Sequence, residues 1–247
     1  MLSNDFIDEI QNNKKIEKTN ASLDYEINAL SYDEALQNDK RTFCKYYISL
    51  LKTTHILIYA FNNNKKDYNS SAIKRCLFFF YLALNLFLNT LFFNEYAIHQ
   101  IYIDKGNFNF NFVIPRIIYS IIICDLLFAI VKRLSLTQQN ILKIKYAKII
   151  SNFNVRSSDE IKCINIKLKT FFVFSLVILV IFWHYLSSFC AVYKNTQIYL
   201  IEATIISYII EFINPFFIYL LAGFIRFFSL KNPEEKFYKI SKFIQIY

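Results

Sequence analysis

Four long apolar runs, separated by polar and charged stretches, dominate the hydrophobic pattern of the chain. They occupy residues 76–93, 112–131, 170–192 and 197–228. An α-helix needs roughly 18 or more apolar residues to cross a hydrocarbon core of about 30 Å. Every run meets this length, and the last run exceeds it. The pattern therefore predicts an all-α integral membrane protein with four transmembrane helices.

Three other segments are amphipathic rather than uniformly apolar. They lie at 39–61, at about 142–153 and at 229–247, and each repeats apolar residues at helical spacing beside lysines. This pattern is typical of helices that lie flat in a membrane interface, here on the cytoplasmic leaflet. Lys52 and His55 interrupt the apolar stretch of the first segment. Two arrangements therefore remain open for 39–61, an interfacial helix or a re-entrant hairpin.

Start signals refine the polar parts of the chain. Ser31 and Glu34 have the spacing of a capping box, which predicts a short helix starting there. Asn232 and Pro233, followed by two glutamates, predict the start of the C-terminal helix. The predicted organisation has a polar N-terminal tail, an amphipathic segment, a transmembrane domain with a basic cytoplasmic loop at 132–169, and a C-terminal amphipathic helix. These four parts cover 1–38, 39–61, 62–228 and 229–247.

Lysine and arginine are distributed unevenly between alternate linkers. The region up to Arg75 has 11, the loop 132–169 has 9 and the C-terminal end has 5. The two remaining loops have one each, Lys105 and Lys194. Because basic loops stay in the cytoplasm, this asymmetry predicts that both the N-terminus and the C-terminus are cytoplasmic.

The net charge of +9 would suggest nucleic-acid binding in a soluble protein. Beside transmembrane helices, the same charge favours contact with anionic lipid of the cytoplasmic leaflet, so we expect no nucleic-acid partner. A homo-oligomer is a further predicted partner arrangement. Five cysteines without a CxxC pair, two glycines and three separated histidines match no zinc, phosphate-loop or HExxH pattern. We therefore predict no catalytic residue, cofactor or metal, and no enzyme activity.

Several stretches resemble multi-pass transmembrane proteins of ciliated protists, a family without an established function. The stretches are 39–61 (DKRTFCKYYISLLKTTHILIYAF), 67–74 (DYNSSAIK), 89–95 (NTLFFNE), 134–145 (LSLTQQNILKIK), 189–197 (FCAVYKNTQ) and 214–230 (NPFFIYLLAGFIRFFSL). They cover most of the chain after residue 39. The resemblance implies a polytopic membrane fold and transfers no catalytic residue.

Polar residues inside the apolar runs are the candidate site residues, because burying them in a bilayer costs free energy. They are Asn85, Asn89, Arg116, Asp125, His184, Glu211 and Arg226. Helical rise places four of them near one level at the outer boundary, namely Asn89, Arg116, His184 and Glu211. This shared depth predicts that Glu211 pairs with Arg116 or His184. The alternative is that each residue bonds locally.

Asp125 and the two asparagines have separate predictions. Arg226 is the nearest deep cation to Asp125, although one to two turns lower. A neutral Asp125 bonded to a neighbouring helix is favoured over an ion site. Asn85 and Asn89, four residues apart, are expected to form a helix-to-helix bonding stripe rather than a pore lining.

The predicted function is a structural, scaffolding or anchoring role at a membrane. The alternative is a subunit of an oligomeric transporter or channel that uses Asp125, Glu211 and His184. A water-filled cavity lined by the acids would favour transport. Acids bonded to neighbouring helices would favour scaffolding.

Overall fold

The computed structural model describes residues 24–62, 68–104, 109–136, 140–141 and 153–245. Nearly all of these residues are helical and none is in a strand, which confirms the all-α prediction. The helices are α1 (Asp24–Ala29), α2 (Tyr32–Asn38), α3 (Phe43–Thr54), α4 (Ile56–Phe61), α5 (Ser71–Leu91), α6 (Glu95–Ile103), α7 (Phe110–Ser135), α8 (Phe153–Val192), α9 (Gln197–Lys231) and α10 (Glu235–Ile244). A 3₁₀ turn, Lys194–Thr196, joins α8 to α9.

Four of these helices, α5, α7, α8 and α9, are long and apolar enough to cross a membrane. This confirms the prediction of four membrane helices, and each contains one of the predicted runs apart from the last two residues of the first run. Local signals define their ends. The Ser70 side chain accepts a hydrogen bond from the Ala72 amide and so caps α5. Lys132 and Arg133 lie in the last turn of α7, where cations favour the helix dipole.

Two helices extend into segments predicted as loops. α8 begins at Phe153, so the second half of the predicted basic loop is helical rather than irregular. The stretch from 153 to 169 has no proline or glycine that would interrupt a helix. On the opposite loop, α6 forms because Asn94 caps it, accepting a hydrogen bond from the Ala97 amide at 2.9 Å.

The shorter helices match their start signals in part. The capping box of Ser31 and Glu34 is present, and α2 follows it. Residues 24–38, predicted as a tail, contain α1 and α2. The segment 39–61 forms two helices that break at His55. α10 begins at Glu235, three residues after the predicted cap Asn232.

Some predictions lie outside the described residues. The first 23 residues of the predicted tail are among them. So are 142–152, which are most of the predicted second interfacial helix.

The chain divides into two compact units. Among the described residues, we call 24–59 and 215–245 the terminal unit, and 60–62, 68–104, 109–136, 140–141 and 153–214 the span unit. α9 contributes to both, and the boundary falls between Asn214 and Pro215. The core of the terminal unit is formed by Tyr46, Leu50, Leu51, Tyr219 and Ala222. The span unit has one core of Phe93, Ile98, Phe189 and Leu200, and a second of Val113, Ile117 and Ala203.

α3 packs its apolar face on protein within the terminal unit. Tyr46, Leu50 and Leu51 lie on the predicted face, and they contact Tyr219 and Ala222 of α9. The Tyr47 hydroxyl donates a hydrogen bond to the Phe216 carbonyl at 3.3 Å. The apolar face of α3 is therefore covered by α9, which neither of the two predicted arrangements anticipated.

Candidate functional site

Two helices of the span unit meet through polar side chains spaced one turn apart. Asn85 and Asn89 lie on one face of α5, and Ser207 and Glu211 lie on one face of α9, because residues four apart are neighbours on a helix. The Asn85 side-chain amide donates to Ser207 Oγ at 3.0 Å and to Glu211 Oε1. This bond network joins α5 to α9 and confirms the predicted helix-to-helix role of Asn85.

Asn89 extends the network within α5. Its Nδ2 donates to the Asn85 side-chain oxygen at 2.6 Å and to the Asn85 carbonyl at 3.1 Å. Asn89 thus orients Asn85 rather than reaching a second helix, so the predicted stripe holds for Asn85 and not for Asn89. All four side chains are buried, with Glu211 5% exposed. Two buried acceptors, Glu211 Oε2 and Asn89 Oδ1, have no hydrogen-bond partner.

Asp125 is bonded to α5 through a tyrosine. The Tyr81 hydroxyl donates to Asp125 Oδ1 at 3.3 Å, which confirms that Asp125 bonds a neighbouring helix. Tyr81 is four residues before Asn85, so it continues the same polar face of α5. The Asp125 side chain is nevertheless exposed at the surface of α7, whereas it was predicted to be buried.

Arg116 and His184 lie away from this network. The Arg116 guanidinium sits over the Phe93 ring, 4.5 Å from its centroid, and its Nε has no hydrogen-bond partner. The His184 side chain is exposed on α8. Neither residue forms an ion pair with Glu211, whose Oε1 is bonded to Asn85. The predicted pairing is therefore wrong.

Depth along the helices explains the error. Phe93, Phe189 and Leu200 pack together and so mark one level of the span unit. Glu211 is eleven residues beyond Leu200, roughly 16 Å deeper at 1.5 Å per residue. His184 is only five residues from Phe189, or roughly 8 Å. Glu211 therefore lies deeper in the span unit than His184, and the two residues do not share one polar layer.

Arg226 has a different environment, in the terminal unit. Its Nη2 donates to Asp39 Oδ2 at 2.9 Å and to the Ile27 carbonyl at 3.3 Å. Its guanidinium lies 4.7 Å from the ring centroids of both Tyr46 and Tyr238. Arg226 is 1% exposed and the Asp39 side chain 3% exposed, so this is a buried ion pair with cation–π contacts to two rings.

A second arginine completes the site, which we call the Arg226 cluster and define as Asp39, Arg41, Tyr46, Arg226 and Tyr238. Arg41 Nε donates to Asp39 Oδ1 at 2.8 Å and Nη2 donates to Oδ2 at 2.9 Å. This bidentate geometry is the strong form of an arginine–carboxylate contact. Asp39 therefore binds two arginines. Its role could not be predicted from the sequence, because 187 residues separate it from Arg226.

The pKa shifts in the Arg226 cluster follow from burial and charge. Burial alone would raise the pKa of Asp39, but the hydrogen bonds and charges of Arg41 and Arg226 outweigh it and hold that pKa below its ordinary value. Burial raises the pKa of Tyr46 to about 12, although the two arginines oppose the rise. The carboxyl thus stays charged and the phenol stays neutral near pH 7.

α10 and the segment after α1 close over the cluster. The Tyr238 hydroxyl donates to the Leu30 carbonyl at 2.8 Å, and Lys242 Nζ donates to the carbonyls of Ala29, at 2.9 Å, and Leu30. Burial and the charge of Arg226 lower the pKa of Lys242. Gln245 Nε2 donates to the Tyr46 hydroxyl at 2.5 Å. These bonds join α10 and Gln245 to residues 29–30 and to Tyr46 within the terminal unit.

Chemically, Glu211 Oε1 and Arg226 Nη2 are bonded to protein partners, whereas Glu211 Oε2 and Arg226 Nε and Nη1 have no hydrogen-bond partner among the described residues. Among the described residues, no three His, Cys, Asp or Glu side chains lie close enough to hold a metal ion. Sequence reasoning missed Tyr81 and Ser207, although each is four residues from a candidate, Asn85 and Glu211. It also missed Asp39, for which only the fold supplies a signal.

Comparison of the chain with protein-family models, with curated proteins and with solved structures found no match. The resemblance to the protist membrane proteins therefore stays a prediction.

Proposed function

We propose that this protein has a structural role, as a multi-pass membrane anchor that presents the terminal unit at one membrane surface. The observation that carries the proposal is the bonding of the intramembrane acids. Glu211 bonds Asn85 and Asp125 bonds Tyr81, so both acids join α5 to a neighbouring helix. Polar bonds of this kind hold helices together in lipid.

The terminal unit supports the same role. α1, α2, α3, α10 and most of α4 belong to it together with the last part of α9, and the Arg226 cluster joins α9 to Asp39 and to the segment after α1. A folded unit attached directly to a membrane helix suits a scaffold, because its position relative to the bilayer is set by the helix. From the distribution of lysine and arginine, we place this unit on the cytoplasmic side.

α10 supplies a surface that suits contact with the bilayer. Tyr238 and Ser241 face the terminal unit and are buried. Three apolar residues of α10 remain exposed, namely Phe237, Ile240 and Phe243. Lys236 and Lys239 are exposed as well. An apolar stripe beside lysines is the pattern of a helix that lies on an anionic membrane surface, and we propose that α10 rests there.

A flux measurement tests the structural proposal. The full chain is reconstituted in proteoliposomes, and fluxes of protons and of monovalent and divalent cations are compared among wild type, Asp125→Asn, Glu211→Gln and protein-free vesicles. We expect wild-type vesicles to leak no faster than protein-free vesicles. A wild-type flux that either substitution abolishes would replace the structural proposal by a transport function.

Cysteine labelling tests the proposed topology. Cys44 is exposed on α3, so a variant that keeps only Cys44 reports on the terminal unit. A matched variant carries its single cysteine at Lys194, in the turn between α8 and α9. In intact right-side-out cells, an impermeant maleimide should label the second variant and not the first. The reverse result would invert the topology.

One feature favours the second candidate, a subunit of an oligomeric transporter or channel. Asp125 is exposed on α7 in the middle of an apolar helix, next to exposed Leu126. An acid that faces lipid costs free energy, so a second subunit covering Asp125 would stabilise it. The same flux measurement decides between the candidates. Cross-linking through a cysteine at Leu126 would show whether subunits meet at that face.

A further inference from the structure

A groove runs between α5 and α8 within the span unit, and Tyr208 of α9 contributes to its lining. Its volume is about 520 Å³, within the roughly 300–1,000 Å³ of common ligand sites. The walls are almost wholly apolar and include Phe79, Ala83, Leu86, Phe172, Leu176 and Trp183. Only 11% of the most apolar window of α8 is buried in protein, so this side of the bundle faces lipid.

The groove is elongated along the helices. On α8 its lining extends from Phe171 to Trp183, twelve residues or roughly 18 Å at 1.5 Å per residue. On α5 it extends from Cys76 to Leu86. The groove therefore starts near the basic end of the bundle and passes the middle of the membrane helices. The length and apolar lining of the groove match one extended acyl chain.

Two cations stand at the basic end of the groove. Arg75 is four residues before Phe79, and Lys169 is three residues before Phe172, so each lies one turn from a lining residue on the same face of its helix. Both side chains are exposed. Neither is paired with an acid among the described residues. The charge at this end is thus complementary to a phosphate or carboxylate headgroup.

The few polar groups of the lining do not compete with an acyl chain. The Tyr208 hydroxyl donates to the Leu82 carbonyl at 2.7 Å, so only its ring is presented. Ser175 is 8% exposed, and its hydroxyl, which has no hydrogen-bond partner among the described residues, is a single small polar group in the lining. A second protein helix is a poorer occupant, because an apolar helix in the groove would leave Arg75 and Lys169 without a negatively charged partner.

From this geometry we infer that the groove between α5 and α8 is a binding site for an anionic phospholipid. One acyl chain lies along Phe79, Ala83 and Leu176, and its methyl end reaches Trp183. The headgroup lies between Arg75 and Lys169. The inference is independent of the structural role proposed above, since a transporter subunit could bind the same lipid.

Trp183 makes the site measurable, because it is the only tryptophan in the chain. The full chain is reconstituted in vesicles of zwitterionic lipid, and a fraction of the lipid is replaced by lipid brominated near the methyl end of its chains. Bromine quenches tryptophan on contact. We expect an anionic brominated lipid to quench Trp183 at a lower mole fraction than a zwitterionic lipid with the same chains.

Substitutions locate the headgroup. Arg75→Gln and Lys169→Gln should each lower the preference for the anionic lipid about fivefold, since one cation near a membrane surface contributes on the order of 1 kcal/mol. Lys194→Gln is the matched control, because it removes the same charge from α8's far end and should leave the preference unchanged. Ala83→Leu narrows the groove and should weaken quenching by the anionic lipid.

Three results would overturn the inference. Equal quenching of wild type by the two lipids would remove the headgroup site, and this comparison needs no variant. An absence of quenching by either lipid would mean that protein covers the groove. An undiminished preference in Ala83→Leu would mean that the lipid binds the outer surface rather than the groove.

Discussion

The two polar sites stabilise buried polar groups in different ways. In the terminal unit, Arg226 and Asp39 form a charged pair between two tyrosine rings. In the span unit, Glu211 faces the amide of Asn85 and no cation. The Asp39–Arg226 site thus pairs two full charges, whereas the Asn85–Glu211 site relies on amide and hydroxyl groups. The contrast follows the cost of transferring a charge into an apolar medium, which greatly exceeds that of an amide.

This difference has an energetic consequence. A buried ion pair adds little net stability, but removing one partner leaves a charge that nothing compensates. A hydrogen bond from a side-chain amide between membrane helices contributes less stability. Its loss leaves only uncharged groups, or one acid, without a hydrogen-bond partner. The terminal unit should therefore be the more sensitive of the two to single substitutions at its polar site.

The largest effect is expected from Asp39→Ala, which leaves Arg226 and Arg41 without their shared carboxylate. Loss of one partner of a buried pair costs about 3–5 kcal/mol. Equilibrium unfolding of the purified chain in detergent, with hydrogen exchange resolved for α3 and α10, would show the loss in the terminal unit.

The control for Asp39→Ala is Glu235→Gln in the exposed pair of Glu235 and Lys239, whose side chains are 55% and 72% exposed. An exposed pair is worth about 0–1 kcal/mol, so this variant should resemble wild type. Comparable losses in the two variants would show that Arg226 is not held by Asp39.

A smaller effect is expected from Asn85→Leu in the span unit. The substitution removes the donor that Ser207 and Glu211 share, and hydrogen bonds between membrane helices are worth about 1–2 kcal/mol. Asn89→Leu, which loses only bonds within α5, should cost about 0.6 kcal/mol or less. Unfolding in detergent micelles measures both losses of stability. A larger loss in Asn89→Leu than in Asn85→Leu would contradict this hydrogen-bond arrangement.

Acidification should affect the terminal unit through Asp39. Because the folded state holds the pKa of Asp39 below the ordinary value of 3.8, its contribution is complete above that value. The contribution is lost as the pH falls from about 4 through the lower folded pKa. The hydrogen-exchange protection of α3 amides, measured against the intrinsic exchange rate at each pH, should therefore fall in this range for wild type. In Asp39→Asn that part of the pH dependence should disappear, and its persistence would assign the dependence to another acid.

The helices could be predicted from the sequence more easily than the contacts between them. Apolar runs longer than a membrane is thick have few alternative structures, so α5, α7, α8 and α9 could be predicted. The capping box before α2 was equally clear, because it depends on neighbouring residues only. These features are local or depend on length.

The contacts depend on how helices are staggered, and the sequence does not contain that information directly. The predicted pairing of Glu211 failed because Glu211 lies eleven residues beyond Leu200, deeper in the span unit than the core of Phe93, Phe189 and Leu200. The prediction for Asn85 was correct because it required a hydrogen bond to a neighbouring helix without specifying which helix. The Asp39–Arg226 pair joins residues far apart in the chain and could not be derived without the fold.

The smallest effect is expected where α3 approaches α9 most closely, at Gly223. A Cβ placed there would lie 3.3 Å from Phe43 Cε2 and 3.6 Å from Tyr46 Cδ1. Alanine gains up to about 1 kcal/mol over glycine within a helix, and the half-exposed Phe43 ring can shift by the few tenths of an ångström required. Gly223→Ala should therefore change the stability by less than about 1 kcal/mol. Gly223→Leu, which overpacks the same contact, should destabilise the terminal unit by about 1–3 kcal/mol.

Both glycine variants are measured by the same unfolding experiment, with hydrogen exchange of α3 as the local readout. Tolerance of leucine would mean that α3 and α9 are not in close contact at this point. It would also remove the packing that places Tyr46 against Arg226, since Tyr46 contacts both. The charged site of the terminal unit thus depends on a close helix contact, whereas the Asn85 network makes its own contact through the bonds between α5 and α9.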